Sequence, residues 1–244
     1  MQAVSGAGQD RGMVVDLRGA RAVLLPGTGS DDDFVRRAFS DALRDAGASV
    51  IAVTPQPSAL VDGYVAALDN AAAEGPVVVG GVSIGAAVAV TWALAHPRST
   101  AAVLAALPAW TGSPDGAVAA ISARASAAML RRDGLAAATA AMQASSPGWL
   151  AVELARSWAA QWPGLPQAME EAAGFTAPTR EQLHQLAVPM GVAAAVDDPV
   201  HPLDVAIEWS TAAPRAAMRT VTLDEIGANP GALGAACMAG LQTL

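Results

Sequence analysis

With 244 residues, 53% of them hydrophobic, the chain is long enough for one well-packed domain with an inserted lobe. A formal net charge of −8 without a basic cluster argues against nucleic acid as a partner, because phosphates demand a positive face. A single cysteine, Cys237, excludes an internal disulfide framework. The first predicted strand is Ala22–Leu25, ending at Pro26-Gly27, and a helix capped near Ser30 follows over Asp31–Ala46. A strand at Ser49–Val53, a helix at Ser58–Ala73 and an almost all-valine strand at Pro76–Gly80 come next. Ile84–Ala95 is predicted helical and Ala101–Leu107 extended, while Met13–Leu17 is expected as an extra edge strand. From Gly112 to Gln185 the pattern is helical, broken at Pro147-Gly148, Pro163-Gly164 and Pro178. Alternation resumes with a strand at Met190–Val196, then Pro202–Ala212, then a strand at Met218–Leu223, and a last helix at Pro230–Leu241.

Apolar strands separated by helices imply a mostly parallel sheet covered on both faces, an α/β class of fold. The helical stretch 112–185 then reads as a lobe inserted into a core made of residues 1–111 and 186–244. Its Trp149, Trp158 and Trp162 either line a ligand cavity or fasten the lobe to the core. No apolar run is long enough, without breakers, to span a bilayer. The opening MQAVSGAGQDRG is polar and lacks an apolar signal region, so the expected address is cytoplasmic.

The chemistry concentrates at Gly81-Val82-Ser83-Ile84-Gly85, which follows the valine strand and opens a helix. In a Gly-x-Ser-x-Gly corner the serine backbone is strained, and only small residues fit two positions to either side. Gly81 and Gly85 meet that demand, and Ala86 and Ala87 keep the helix entry slim. The hydroxyl then projects above the sheet at the positive end of a helix dipole, and the Ile84 amide points where an oxyanion would form. The plainer alternative is a glycine-rich turn with an incidental serine. Phosphate-loop and dinucleotide patterns are absent.

These residues resemble the α/β-hydrolases, and the resemblance runs through nearly the whole chain from about Ala20. Leu25-Pro26-Gly27-Thr28-Gly29 is similar to the family's His-Gly-x-Gly loop, with Pro26 in the histidine position. The resemblance makes the Thr28 amide the second oxyanion donor beside that of Ile84. Asp197-Asp198-Pro199-Val200-His201-Pro202 is similar to the family's acid loop, with Asp198 matching the catalytic acid. The helical lobe falls where the family carries its cap.

The same resemblance predicts a histidine in the loop after the last strand. There, in Val221–Pro230, Gly227 is present but Ala228 occupies the histidine position, and no histidine follows His201. A serine hydroxyl needs a base to take its proton. His201, three residues past Asp198, is one candidate, its alternative being a surface residue in a helix-entry turn. Asp224 or Glu225 is a second, if its pKa were raised by burial or by Asp198. The third reading is that the fold no longer hydrolyses anything and instead binds a ligand or partner. His96 ends the helix that Ser83 begins, some 18 Å away at about 1.5 Å per residue. His184 belongs to the opposite end of the sheet, and Cys237 reads as a buried apolar residue in the last helix.

The leading expectation is therefore a capped, serine-dependent α/β-hydrolase-like enzyme acting on a small, apolar ester or thioester, by hydrolysis or acyl transfer. Ser83 is its nucleophile, Asp198 its acid and His201 its base. The resemblance implies no cofactor, and three scattered histidines with one cysteine offer no metal-ligand spacing. The expected partner is a small-molecule substrate or ligand, and self-association into a homo-oligomer stays open.

Overall fold

The computed structural model describes residues 15–244. Among the described residues six strands form one sheet: β1 Arg21–Leu25, β2 Ser49–Ala52, β3 Val77–Val82, β4 Thr100–Ala106, β5 Met190–Ala195 and β6 Ala216–Val221. They are ordered β2-β1-β3-β4-β5-β6, and every neighbouring pair runs parallel. The edge strand expected at Met13–Leu17 falls partly outside the described residues. Its described part, from Val15, is not a strand, and Leu17 is instead buried as a core side chain.

Parallel strands need crossovers, and here helices supply them on both faces. The helices α1 Asp32–Asp45, α2 Leu60–Ala72 and α3 Ile84–Ala95 follow the first three strands. The helices α4 Val118–Ser145, α5 Gly148–Gln161, α6 Leu165–Gly174 and α7 Arg180–His184 lie between β4 and β5. After β5 come α8 Leu203–Ala212, then β6, α9 Leu223–Ala228 and α10 Gly231–Leu241. Strand residues alternate between two cores. Val23, Leu25, Val77 and Val79 face α2, α3 and α8, whereas Ala22, Leu24 and Val78 face α1 and α10.

Local chemistry explains several boundaries. The cap of α1 is Asp31 rather than the neighbouring Ser30; its carboxylate accepts the Phe34 N–H at 3.1 Å. The stretch after β6, expected to be a loop, contains the helix α9. Its cause is a capping box in which Thr222 Oγ1 accepts the Glu225 N–H and the Glu225 carboxylate accepts the Thr222 N–H. Inside α4 the helix breaks at Gly134, where φ is 78° and ψ 174°.

The helices between β4 and β5 have a small core of their own, from Ala127, Leu130, Ala138, Trp158, Leu165 and Met169. They also grip the loops at the carboxyl ends of the strands. Ser157 Oγ donates to the Gly29 carbonyl at 2.7 Å, and the Gln161 amide to that of Ser30 at 2.9 Å. The Glu171 carboxylate accepts the Leu60 and Val61 N–H groups, holding α6 on the start of α2. Arg156 pairs with Asp31, and Arg37 with Glu153, across the same seam.

The order β2-β1-β3 means that the chain leaves β1 in one direction and returns on its other side. A crevice opens at such a switch point outside the carboxyl ends of the strands. The loops after β1 and β3 meet there, and each carries a motif singled out from the sequence.

Candidate active site

Ser83 sits between β3 and α3 with φ 56° and ψ −117°, a conformation that a non-glycine residue adopts at a cost of about 1–3 kcal/mol. Its own N–H donates to the Ala106 carbonyl at 2.9 Å, which ties the corner to β4. The corner can only close because Gly81 and Gly85 have no side chain. A Cβ on either would run into the Leu25 carbonyl oxygen, and on Gly85 it would also lie 2.7 Å from the Pro26 oxygen. The glycines therefore let the end of β1 press against the serine corner. Among the described residues Leu107, just after β4, is the other non-glycine residue with positive φ, at 50°, and its N–H is held by the Ala193 carbonyl at 2.8 Å.

The loop after β1 passes directly over the serine. A Cβ on Gly27 would stand 3.6 Å from that of Ser83. Tyr64, fully buried on α2, fixes this loop by donating its hydroxyl to the Pro26 carbonyl at 3.1 Å. Burial, with the nearby Glu171 charge, pushes the phenol pKa up, so Tyr64 remains a donor throughout the ordinary pH range. Among the described residues, neither the Thr28 nor the Ile84 N–H has a hydrogen-bond acceptor. Ile84 opens α3, so no preceding turn offers one.

The turn after β5 supplies the rest. Asp198 Oδ1 accepts the N–H groups of Val200 at 2.8 Å and His201 at 3.2 Å, a turn that Pro199 and Pro202 stiffen before α8 begins. Its other oxygen, Oδ2, lies 2.7 Å from His201 Nδ1, and His201 Nε2 lies 3.0 Å from Ser83 Oγ. An ionised carboxylate only accepts, so Nδ1 carries a proton and Nε2 is free to accept the serine's. The two side chains are 8% and 17% exposed, shielded enough for the pair to count electrostatically. Burial alone would raise the Asp198 pKa. The His201 hydrogen bond and charge, with the Val200 and His201 amides, outweigh it and hold the carboxyl below its ordinary value.

The other candidates do not reach Ser83. Asp224 and Glu225 are exposed on α9, and the Glu225 carboxylate is engaged with Thr222, so neither makes a hydrogen bond to the serine. His96 caps α3, where Nδ1 contacts the Trp92 carbonyl at 2.9 Å and the ring stacks on that indole. His184 Nδ1 lies 2.9 Å from the Ala212 carbonyl, and Cys237 is buried with its thiol pKa pushed up by desolvation. Among the described residues no group of His, Cys, Asp and Glu side chains is placed to hold a metal ion. Among the described residues no helix is long and apolar enough to cross a membrane.

No protein-family profile matches the chain, and no curated protein matches it either. Solved structures do. The chain is similar to MenH from S. aureus, with TM-score 0.65, 13% identity, and 84% and 85% of the two chains covered. It is also similar to the enol-lactonase from Burkholderia xenovorans LB400, with TM-score 0.61, 18% identity, and coverage of 85% and 84%. A thermophilic esterase from Thermogutta terrifontis matches with TM-score 0.61, 18% identity, and coverage of 84% and 81%.

The fold is that of the α/β-hydrolases. Within it, the position expected for the histidine is Ala228, which is exposed at the end of α9. Beside it, Gly227 packs against the Trp149 indole of α5; a Cβ there would lie 2.7 Å from Trp149 Nε1. Asp197, the neighbour of Asp198, accepts the Leu223 N–H at 2.8 Å and so moors α9. The sequence gives no role to Asp197 or Tyr64, and leaves Trp158 open between lining a cavity and fastening the lobe. The Thr222-x-x-Glu225 capping box was a signal for α9. The other three depend on contacts between distant segments.

Proposed function

We propose that the chain is a serine hydrolase with a displaced base, acting on a small, apolar ester or thioester. Ser83 is the nucleophile, His201 the general base and acid, and Asp198 the carboxylate that fixes the imidazole tautomer. The observation that carries the reading is the line Asp198 Oδ2–His201 Nδ1–His201 Nε2–Ser83 Oγ, with contacts of 2.7 and 3.0 Å. The strained serine and the two unpaired amides at Thr28 and Ile84 support it. That two neighbours are named as an esterase and an enol-lactonase favours hydrolysis.

In this mechanism Ser83 Oγ attacks the carbonyl carbon while its proton passes to His201 Nε2. The carbonyl oxygen becomes an oxyanion, which accepts from the Thr28 and Ile84 amides. The imidazolium, stabilised by Asp198, gives the proton to the departing alcohol or thiol. Water then attacks the acyl-serine, again losing its proton to Nε2, and the acid leaves as Ser83 recovers its hydrogen. The helices between β4 and β5 act as the cap that excludes water.

The test is labelling by a fluorophosphonate probe. Wild type takes the label, Ser83→Ala takes none, and His201→Ala takes it far more slowly. Labelling that His201→Ala leaves unchanged would remove the base from the proposal. An unlabelled wild type would favour a ligand-binding protein on a hydrolase fold.

A further inference from the structure

An oxyanion donor must be held in a fixed direction. The Thr28 N–H has no acceptor among the described residues, so its direction comes from the bonds around it. Residues 27–30 form a turn in which the Ser30 N–H donates to the Gly27 carbonyl at 3.0 Å. Of its two central residues only Gly29 has a positive φ, 71°, the pattern of a type II turn. The Gly27 carbonyl and the Thr28 N–H belong to one peptide unit, and that unit is trans. In a trans unit the two groups point in opposite directions. A Gly27 carbonyl committed to Ser30 therefore sets where the Thr28 N–H points.

The Ser30 N–H in turn shares its peptide unit with the Gly29 carbonyl, and that carbonyl is held from outside the turn. Ser157 Oγ, on α5 and 1% exposed, donates to it at 2.7 Å. Gln161, four residues further along the helix, donates its Nε2 to Ser157 Oγ at 2.8 Å and to the Ser30 carbonyl at 2.9 Å. A carbonyl only accepts, so the Gln161 nitrogen faces the turn, and Ser157 keeps its own hydrogen for Gly29. The bonds thus run one way, from Gln161 to Ser157, to the Gly29–Ser30 unit, to the Gly27–Thr28 unit. Members of such a chain polarise one another, which strengthens the last donor. Fastening the lobe does not require this chain, because the Arg37–Glu153 and Arg156–Asp31 pairs already join α5 to the start of α1.

We propose that Ser157, supported by Gln161, is a positioning residue for the oxyanion hole: from α5, through two peptide units, it aims the Thr28 N–H. The part played at the oxyanion rests on the proposed Ser83–His201 mechanism, whereas the aiming of the amide does not.

The experiment compares wild type with Ser157→Ala, Gln161→Met and Glu153→Ala. The last removes the ion pairs of α5 with Arg37 and Arg156 without touching the turn. One measurement is the residual dipolar coupling of the Thr28 N–H, which reports its direction with no substrate present. Ser157→Ala shifts the coupling and Glu153→Ala keeps the wild-type value; a coupling unchanged in Ser157→Ala would overturn the proposal. The other is kcat and KM for 4-nitrophenyl butyrate, well below Tm. Deleting an oxyanion donor costs about 10²–10³-fold, so misdirecting one in Ser157→Ala lowers kcat roughly ten- to hundredfold, with KM within twofold. Gln161→Met, which keeps the Ser157 hydroxyl, loses less, and Glu153→Ala stays within twofold. An equal loss in Glu153→Ala would reduce Ser157 to a fastening and overturn the proposal, as would a Ser157→Ala effect carried by KM. If wild type hydrolyses no ester, the Ser83–His201 mechanism fails by itself, and the dipolar coupling alone decides whether Ser157 aims the amide.

Discussion

His201 reaches Ser83 from the turn after β5, its Nε2 3.0 Å from the serine Oγ across 118 positions of sequence. The contact joins two rigid pieces: a strained corner wedged against β1, and a turn whose amides are gathered by Asp198. On the proposed mechanism His201→Ala lowers kcat by roughly 10⁴- to 10⁶-fold, with little change in Tm. Steady-state kinetics and a melting curve check both halves. A loss under tenfold would take His201 out of the mechanism.

Replacing Asp198 separates tautomer from bulk. Asn at 198 keeps the volume but can offer its amide N–H to Nδ1, which favours the tautomer with a proton on Nε2. Activity of Asp198→Asn is expected to fall by about 10³–10⁴-fold. Rates near wild type would show that the carboxylate does not orient the base.

The same carboxylate gives a pH dependence with a definite sign. Its folded pKa is depressed below the unfolded value, so it contributes stability above the ordinary carboxylate range and loses it as pH falls through the folded value. The Tm gap between wild type and Asp198→Asn is therefore full at pH 5–8 and shrinks below about pH 4. A gap that widened on acidification would reverse the assignment.

Gly85→Ala puts a methyl group against fixed backbone, the Leu25 carbonyl and the Pro26 oxygen, not against a side chain that can rotate. The expected cost is about 1–3 kcal/mol. That is a Tm loss of about 2–12 °C for a domain of this size. Calorimetry measures it, and esterase activity should fall further than stability because the Thr28 loop is displaced.

Restoring a histidine where the fold usually carries it should fail. In a His201→Ala background, Ala228→His places an imidazole on the exposed end of α9. Activity is expected to stay at the His201→Ala level. Recovery would show that α9 can unfold toward the serine.

How much was readable in advance depended on range. The serine corner is local: glycines at 81 and 85, a valine strand before and a helix after are all within nine residues, and the structure has α3 at the predicted Ile84–Ala95. The strand–helix alternation was equally legible, because burial on both faces makes a parallel strand nearly all apolar. The helix α9 was missed because the resemblance suggested a loop there, although its capping box was written in the sequence.

Sequence by itself determined the sheet, the corner and the lack of a histidine after the last strand. Only the tertiary structure decided that the His201 imidazole lies between Asp198 and Ser83, and that Trp158 lies on the Thr28 loop. The spacing Asp198-Pro199-Val200-His201 is compatible with a histidine turned to solvent or turned inward. Its direction is set by one turn's hydrogen bonds and by where β3 and β5 end in the sheet. Contacts between segments a hundred residues apart are fixed by the packing of the whole core, and no local pattern carries that information.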